Sequence, residues 1–322
     1  MRVLVTGGAG FIGSSLARRM LAEGYEVAIV DDLSTGYREN IPPGAEFLEL
    51  DLTRPESFGK LPAGRFDAVC HLAGQSSGAG SMENPHHDLE ANAASTILLS
   101  QWCLAKGVTR FVFASSMGVY GDAQPLPVSE EARCQPLSFY GASKLAAEHA
   151  LQVAARQGLQ PTALRLFSVY GPGQDLGRLT QGIVSIYLAY LLKGVPVPIT
   201  GSLQRFRDLI YIDDVVKAWL AAVLRPSTPS PAYNIGTGKP TTVRQLLDRL
   251  IGTLNLPADY PIQELPGSPA DQFGIYADTS RAQRELHFSH RVELTDGVRK
   301  MVEWARSGAV PSGERSGACG IR

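Results

Sequence analysis

The sequence predicts an α/β fold, with a doubly wound parallel sheet in its first half and a smaller mixed α/β domain after it. Three observations carry this. Short apolar strands alternate with amphipathic helices from residue 1 to about 170. The strands are continuous apolar runs rather than alternating ones, as expected for strands buried on both faces. From about Gly171 the composition changes, with frequent proline and glycine (Pro172, Gly173, Pro196, Pro198, Gly201).

The predicted elements begin with a β-branched strand over Arg2–Thr6, a helix over Ile12–Glu23 and a strand over Glu26–Val30. Strands follow over Glu46–Leu50, Ala68–Leu72 and Arg110–Ala114, with helical stretches over Asn84–Lys106 and Gly141–Gln157. Ala163–Phe167 continues the large sheet. A long helix over Leu179–Lys193 interrupts the alternation. It is followed by a strand over Asp208–Ile212 and helices over Val215–Leu224 and Val243–Leu254. The expected organisation is a domain over 1–170 to which later elements return, a second domain over 171–311, and a small polar, disordered tail over 312–322.

Bulk properties exclude several classes. The chain has 322 residues, 44% of them hydrophobic, which suffices for a large core. Net charge is -1, so a nucleic-acid-binding face is not expected. No apolar run approaches the ~20 residues of a membrane span, and the N-terminus reads as strand and turn rather than as a signal peptide. The four cysteines, Cys70, Cys103, Cys134 and Cys319, are too scattered for a zinc site or a disulfide framework. A reduced, cytoplasmic protein is expected.

The segment Thr6-Gly7-Gly8-Ala9-Gly10-Phe11-Ile12-Gly13 sits at the first strand–helix junction. Its glycines at 7, 10 and 13 allow a tight turn, close approach of backbone N–H groups to a pyrophosphate, and close helix–strand packing. Asp31 and Asp32 end the second strand about 20 residues on, where a carboxylate accepts ribose hydroxyls and repels the 2′-phosphate of NADP. The pattern is that of a Rossmann-type sheet binding NAD. Asp51-Leu52, after another strand, is placed to meet the adenine.

Tyr140-Gly-Ala-Ser-Lys144 puts a tyrosine and a lysine one helical turn apart. A lysine ammonium and an oxidised nicotinamide both favour the tyrosinate. Moving its pKa from ~10 to ~7 takes roughly 4 kcal/mol. The tyrosinate can then take a proton from a sugar hydroxyl. Ser116, at the carboxyl end of a predicted central strand, can donate to the same oxygen. A helix cap or turn is its bland alternative. His86-His87 reads as a solvated pair, not a metal site, and Tyr187 and Tyr190 as packing residues.

Together these motifs resemble the extended short-chain dehydrogenase/reductase superfamily, in its NAD-dependent nucleotide-sugar epimerase/dehydratase branch, typified by UDP-glucose 4-epimerase. The matching pieces are residues 6–13, Val30 to Gly36, His71-Leu72-Ala73-Gly74, Ser81 to Pro85 with Asn92, Ser115 to Gly121, Tyr140 to Lys144, Leu164 to Pro172, Arg207 to Asp214, Tyr233 to Gly236 and Ala277 to Ser280. The resemblance runs to about residue 305. It implies Ser116, Tyr140 and Lys144 as catalytic. It implies NAD contacts at Gly7, Gly10, Phe11, Ile12, Gly13, Asp31, Asp32, Ser34, Thr35, Gly36, Asp51, Leu52, Leu72, Ala73, Gly74, Asn92, Tyr140 and Lys144. It also implies a nucleotide diphosphate held by the second domain, with Arg207 as a contact and Ser168 at the position of a further one, and a homodimer, for which the helices near 84–106 and 141–157 offer apolar faces. Arg205 is a further candidate substrate contact.

The 4,6-dehydratases of this branch carry Asp-Glu after the strand-end hydroxyl, and the decarboxylases a Glu. Here the residues are Met117 and Gly118. That favours epimerisation, most simply at C4 of a UDP-sugar. A dehydratase or decarboxylase with displaced groups and a non-catalytic NAD-binding regulator are the rivals. Departures from the pattern concern the substrate end. Ser168 replaces an Asn, Leu203 a Gly, and Leu265-Pro266-Gly267-Ser268 lacks the arginine that grips the diphosphate. Arg205 or Arg178 is the candidate replacement.

Overall fold

A computed structural model describes residues 1–122, 125–267 and 272–308. Seven parallel strands form the main sheet: β1 (Arg2–Thr6), β2 (Glu26–Asp31), β3 (Glu46–Glu49), β4 (Ala68–His71), β5 (Arg110–Ser116), β6 (Gln160–Leu166) and, after the strands β7–β9 given below, β10 (Ala232–Ile235). Their order is 3-2-1-4-5-6-10, so the strand order reverses between β1 and β4. Open α/β sheets bind ligands in the crevice at such a point, beyond the carboxyl ends of the strands. The strands are continuous apolar runs because both faces are covered. In β2 the five residues from Val27 to Asp31 are all buried.

Helix α1 (Phe11–Ala22) follows β1. Next come α2 (Gly78–Glu83), α3 (Pro85–Leu89), a π-helical turn at Glu90–Ala94, α4 (Ser95–Lys106) and α5 (Phe139–Ala155). The predicted single helix over Asn84–Lys106 is therefore three segments, because the π turn interrupts the 3.6-residue repeat. In the second half lie β7 (Ser168–Tyr170), α6 (Ile183–Lys193), β8 (Val197–Thr200), β9 (Phe206–Tyr211), α7 (Ile212–Val223), β11 (Pro240–Thr242), α8 (Val243–Leu254), β12 (Ile262–Leu265), β13 (Gly274–Ile275), α9 (Ser280–Leu286) and α10 (Leu294–Arg306). Strands β7, β11 and β13 all pair with β9, and β12 pairs with β8.

Helix α8 has the predicted bounds, since Thr242 and Gln245 form a capping box and Asn255 ends it in the left-handed region. Helix α6 starts at Ile183 rather than Leu179, after Gly182 at φ +87°. Helix α7 starts three residues before the predicted Val215, with Asp213 and Asp214 in its first turn, where acids suit the helix dipole.

The largest core cluster runs unbroken from the main sheet into the second half. It joins Val5 and Leu16 to Leu188, Ile210, Trp219, Leu247 and Met301. Among the described residues no helix is long and apolar enough to cross a membrane. The predicted tail over 312–322 lies outside the described residues.

Candidate active site

A cavity of about 510 Å³ opens at the β1/β4 reversal and extends to the second-half segments around Ser168, Arg178 and Arg207. Its floor is the glycine turn. Gly7 lies at φ +71°, and a Cβ there would meet the backbone of Leu72 and Ala73 at 2.5–2.9 Å. A Cβ on Gly13 would fall on the Gly7 carbonyl. At Gly10 the one near atom is the Gly7 carbonyl oxygen, at 3.3 Å. The outer two glycines are thus demanded by packing, while the middle one leaves space on the cavity side. Helix α1 begins here with no side-chain cap and no acid in its first turn. Its free N–H groups suit an anion such as a pyrophosphate.

Asp31 and Asp32 both line the cavity. Asp31 is clamped by two backbone donors, Ala9 N–H at 3.0 Å and Leu33 N–H at 2.9 Å. Burial raises its pKa, against these two hydrogen bonds. Asp32 is exposed and one of its oxygens accepts both the N–H and the hydroxyl of Ser34. Asp51 caps Thr53 in the same way at the cavity rim. A carboxylate at the end of β2, open glycine-turn donors and apolar Phe11, Ile12 and Leu52 fit a dinucleotide.

Ser116 ends β5 and Tyr140 is the second residue of α5. Gly141 permits their approach, because a Cβ there would strike the Gly118 carbonyl oxygen and lie 2.8 Å from Pro136. Ser116 does cap a turn: its Oγ accepts the Gly118 N–H at 3.1 Å. That occupies an acceptor lone pair and leaves the O–H as a donor. The cap reading and the catalytic reading are therefore compatible.

Lys144, buried one turn along α5, has its Nζ 4.9 Å from the Phe113 ring centre and 5.9 Å from that of Tyr140. Burial lowers its pKa to about 8, with Asp88 acting to raise it. Burial raises the Tyr140 phenol above its ordinary value, a hydrogen bond with Ser116 pulls it back, and Asp88 adds to the rise. The N-terminus of α5 favours the tyrosinate by only ~0.3–1 kcal/mol.

Of the other predicted residues, Ser34, Thr35, Leu72, Ala73, Gly74, Ser168 and Arg207 line the cavity. Gly36 does not; it packs where a Cβ would meet Ala9 at 2.8 Å. Asn92 does not either; it is fully buried beneath Gly74. Arg205 is also absent from the lining, because its guanidinium turns to the Thr200 carbonyl. Arg178 does line it. Leu265 lies exposed in β12, and Ser268 is outside the described residues.

Sequence reading missed two bonds across the cavity: Tyr37 Oη to Asp175 at 2.9 Å and Ser76 Oγ to Gln181 at 3.0 Å. Their partners lie over a hundred residues apart, so no local signal exists. It also missed Asp88, fully buried behind Lys144.

A profile of the NAD dependent epimerase/dehydratase family matches residues 3–236. The chain belongs to this family. It is 34% identical over 314 residues to a UDP-glucose 4-epimerase of Mycolicibacterium smegmatis, covering 95% of this chain and 99% of that one. The structure of a UDP-glucose 4-epimerase from Thermotoga maritima, solved with UDP-glucose, is similar at a TM-score of 0.91 and 35% identity, covering 96% of this chain and all of the other. A UDP-glucose 4-epimerase from Thermus thermophilus, in complex with NAD, matches at 0.87 and 35%, with the same coverage.

Proposed function

We propose that this protein is an NAD-dependent epimerase of a UDP-sugar, inverting C4 by transient oxidation to a keto-sugar. The observation that carries it is the convergence of Ser116, Tyr140 and Lys144 on one cavity with the glycine turn and Asp31. The similarity to 4-epimerases over nearly the whole chain supports the choice of sugar nucleotide.

Gly7, Gly10, Gly13 and Asp31 would hold the dinucleotide. When bound, NAD supplies the hydride acceptor and donor and a positive charge beside the tyrosine. Tyr140 takes the proton of the sugar hydroxyl and returns it in the second half-reaction. Ser116 keeps that oxygen in place through its remaining O–H. Lys144 contributes its ammonium on the far side of the phenol. Arg178 and Arg207 line the second-half end of the cavity where the diphosphate would sit, with the Arg207 guanidinium also donating to the carbonyls of Phe206, Gln272 and Phe273. In this assignment residues 1–170 mainly hold the cofactor and 171–311 mainly the nucleotide sugar. Met117 and Gly118 bring no acid or base to the strand end, which disfavours dehydration and decarboxylation.

Exposed Ile97 on α4 and Phe139 and Val153 on α5 support the homodimer, which light scattering tests. A cytoplasmic location fits the free thiols of Cys70, Cys103 and Cys134.

The test is incubation with UDP-, dTDP-, CDP- and GDP-sugars, followed by proton NMR and mass, with Tyr140→Phe as control. A new anomeric signal at unchanged mass is expected with a UDP-sugar. Loss of water or carbon dioxide overturns the epimerase reading.

A further inference from the structure

Asp88 is a fully buried carboxylate on α3, behind the cavity wall. Its two oxygens are held by neutral donors, the Ser143 hydroxyl at 2.5 Å and the Asn92 amide nitrogen at 3.1 Å. A buried charge with only neutral partners is costly unless a counter-charge stands nearby. The cation at hand is Lys144, next in sequence to Ser143 and itself 4% exposed. The Asn92 amide and Lys144 Nζ both border Gly74, where an added Cβ would meet the two. The amide nitrogen donates to Asp88, and its oxygen has no hydrogen-bond partner and faces the point over Gly74 that is 3.3 Å from Lys144 Nζ.

We propose that Asp88 is a positioning residue of this active site, which keeps Lys144 as an ammonium and, through Ser143, fixes it beside Tyr140. The proposal rests on the role given to Lys144 in the proposed function. Ser143 Oγ also lies 3.0 Å from the Tyr140 carbonyl oxygen, so the hydroxyl that bonds Asp88 sits against the turn that spaces tyrosine from lysine. The other groups facing Lys144 do not supply a negative charge. His71 on β4 is pushed down to about 3 by burial and by Lys144, and stays neutral. Phe113 on β5 offers a ring face. Glu148, the next turn of α5, is engaged by Arg165. His86 and His87 on α3 point to solvent or to the cavity mouth. Against this background burial alone drives the Lys144 pKa down, and Asp88 is what opposes it.

The test follows the lysine itself. Full-length protein carrying 13C at the lysine ε-carbons is titrated by NMR, with the Lys144 signal identified by its loss in Lys144→Met. Asp88→Asn is expected to lower the midpoint by about one pH unit or more, and Asp88→Glu to keep it near that of the parent. Asp88→Ser removes the charge with less bulk and serves the same purpose if Asp88→Asn does not fold. On UDP-sugar turnover, the alkaline limb of kcat moves to lower pH with the midpoint while KM stays unchanged, since Asp88 does not line the cavity. A Lys144 midpoint unmoved in the folded charge-removed variants overturns the proposal, whether or not activity falls. A shifted midpoint in a protein that turns over no sugar would leave the charge assignment standing and sink the functional reading instead.

Discussion

Arg165→Met should destabilise the protein by about 3–5 kcal/mol, the cost of breaking a buried ion pair by removing one partner. Arg165 on β6 donates Nε and Nη2 to Glu148 on α5 at 3.0 and 2.7 Å, and both side chains are 8% exposed. Glu148 also accepts the Ser115 hydroxyl, and Arg165 Nη1 reaches the Tyr120 hydroxyl at 2.9 Å. Tyr120 in turn donates to Asn234 on β10 at 2.6 Å. The variant would strand the Glu148 carboxylate in the core. Arg165→Met combined with Glu148→Leu removes both charges and should recover most of the loss, since apolar replacement of a buried pair is often neutral. Urea unfolding followed by tryptophan fluorescence, with buried Trp219 as a reporter, measures both. The pair joins the helix carrying Tyr140 and Lys144 to β6, and Glu148 also holds Ser115, the neighbour of Ser116 on β5, so kcat should fall with Arg165→Met. A loss below about 1 kcal/mol, typical of an exposed pair, would refute the reasoning.

Three further outcomes are expected. Gly13→Ala forces a Cβ onto the Gly7 carbonyl, a backbone collision; it should cost about 1–3 kcal/mol and strip the protein of NAD, read by chromatography of the released nucleotide. Asp31→Asn should weaken NAD binding by about 1.5–3 kcal/mol, measured by calorimetry on the cofactor-stripped protein. His71 is held neutral, bonded to Thr6 and Thr96, with its pKa lowered by burial to about 3. Between its ordinary pKa and that value the unfolded chain binds a proton that the folded one does not, so stability falls as pH falls. From pH 6.5 to 5 this amounts to about 1.6 kcal/mol, and unfolding of His71→Gln over the same range should lack it.

The main sheet was legible because its signals are local. Apolar runs, the glycine turn and Asp31 at a strand end each need only a few neighbouring residues. Tyr140 and Lys144 were legible for the same reason, as was the capping box of α8. What could not be read depends on distant partners. The π turn at Glu90–Ala94 is invisible in a repeat that looks helical throughout. Arg205 carries the right charge, but its guanidinium is drawn to Thr200, which no spacing reveals. The burial that raises the Tyr140 pKa belongs to the packed cavity wall and not to the motif, so the motif does not show it. Asp88 carries no sequence signal of its own, because its burial comes from the packing of α3 against α5.

The central claim is that one carbon of the sugar is oxidised and then reduced again within a single cavity. A UDP-sugar deuterated at C4 and incubated in ordinary water tests it most directly. The account predicts a product inverted at C4, of unchanged mass, that keeps its deuterium, with no product from Tyr140→Phe. Deuterium lost to solvent on inversion, or inversion at full rate in Tyr140→Phe, would contradict it.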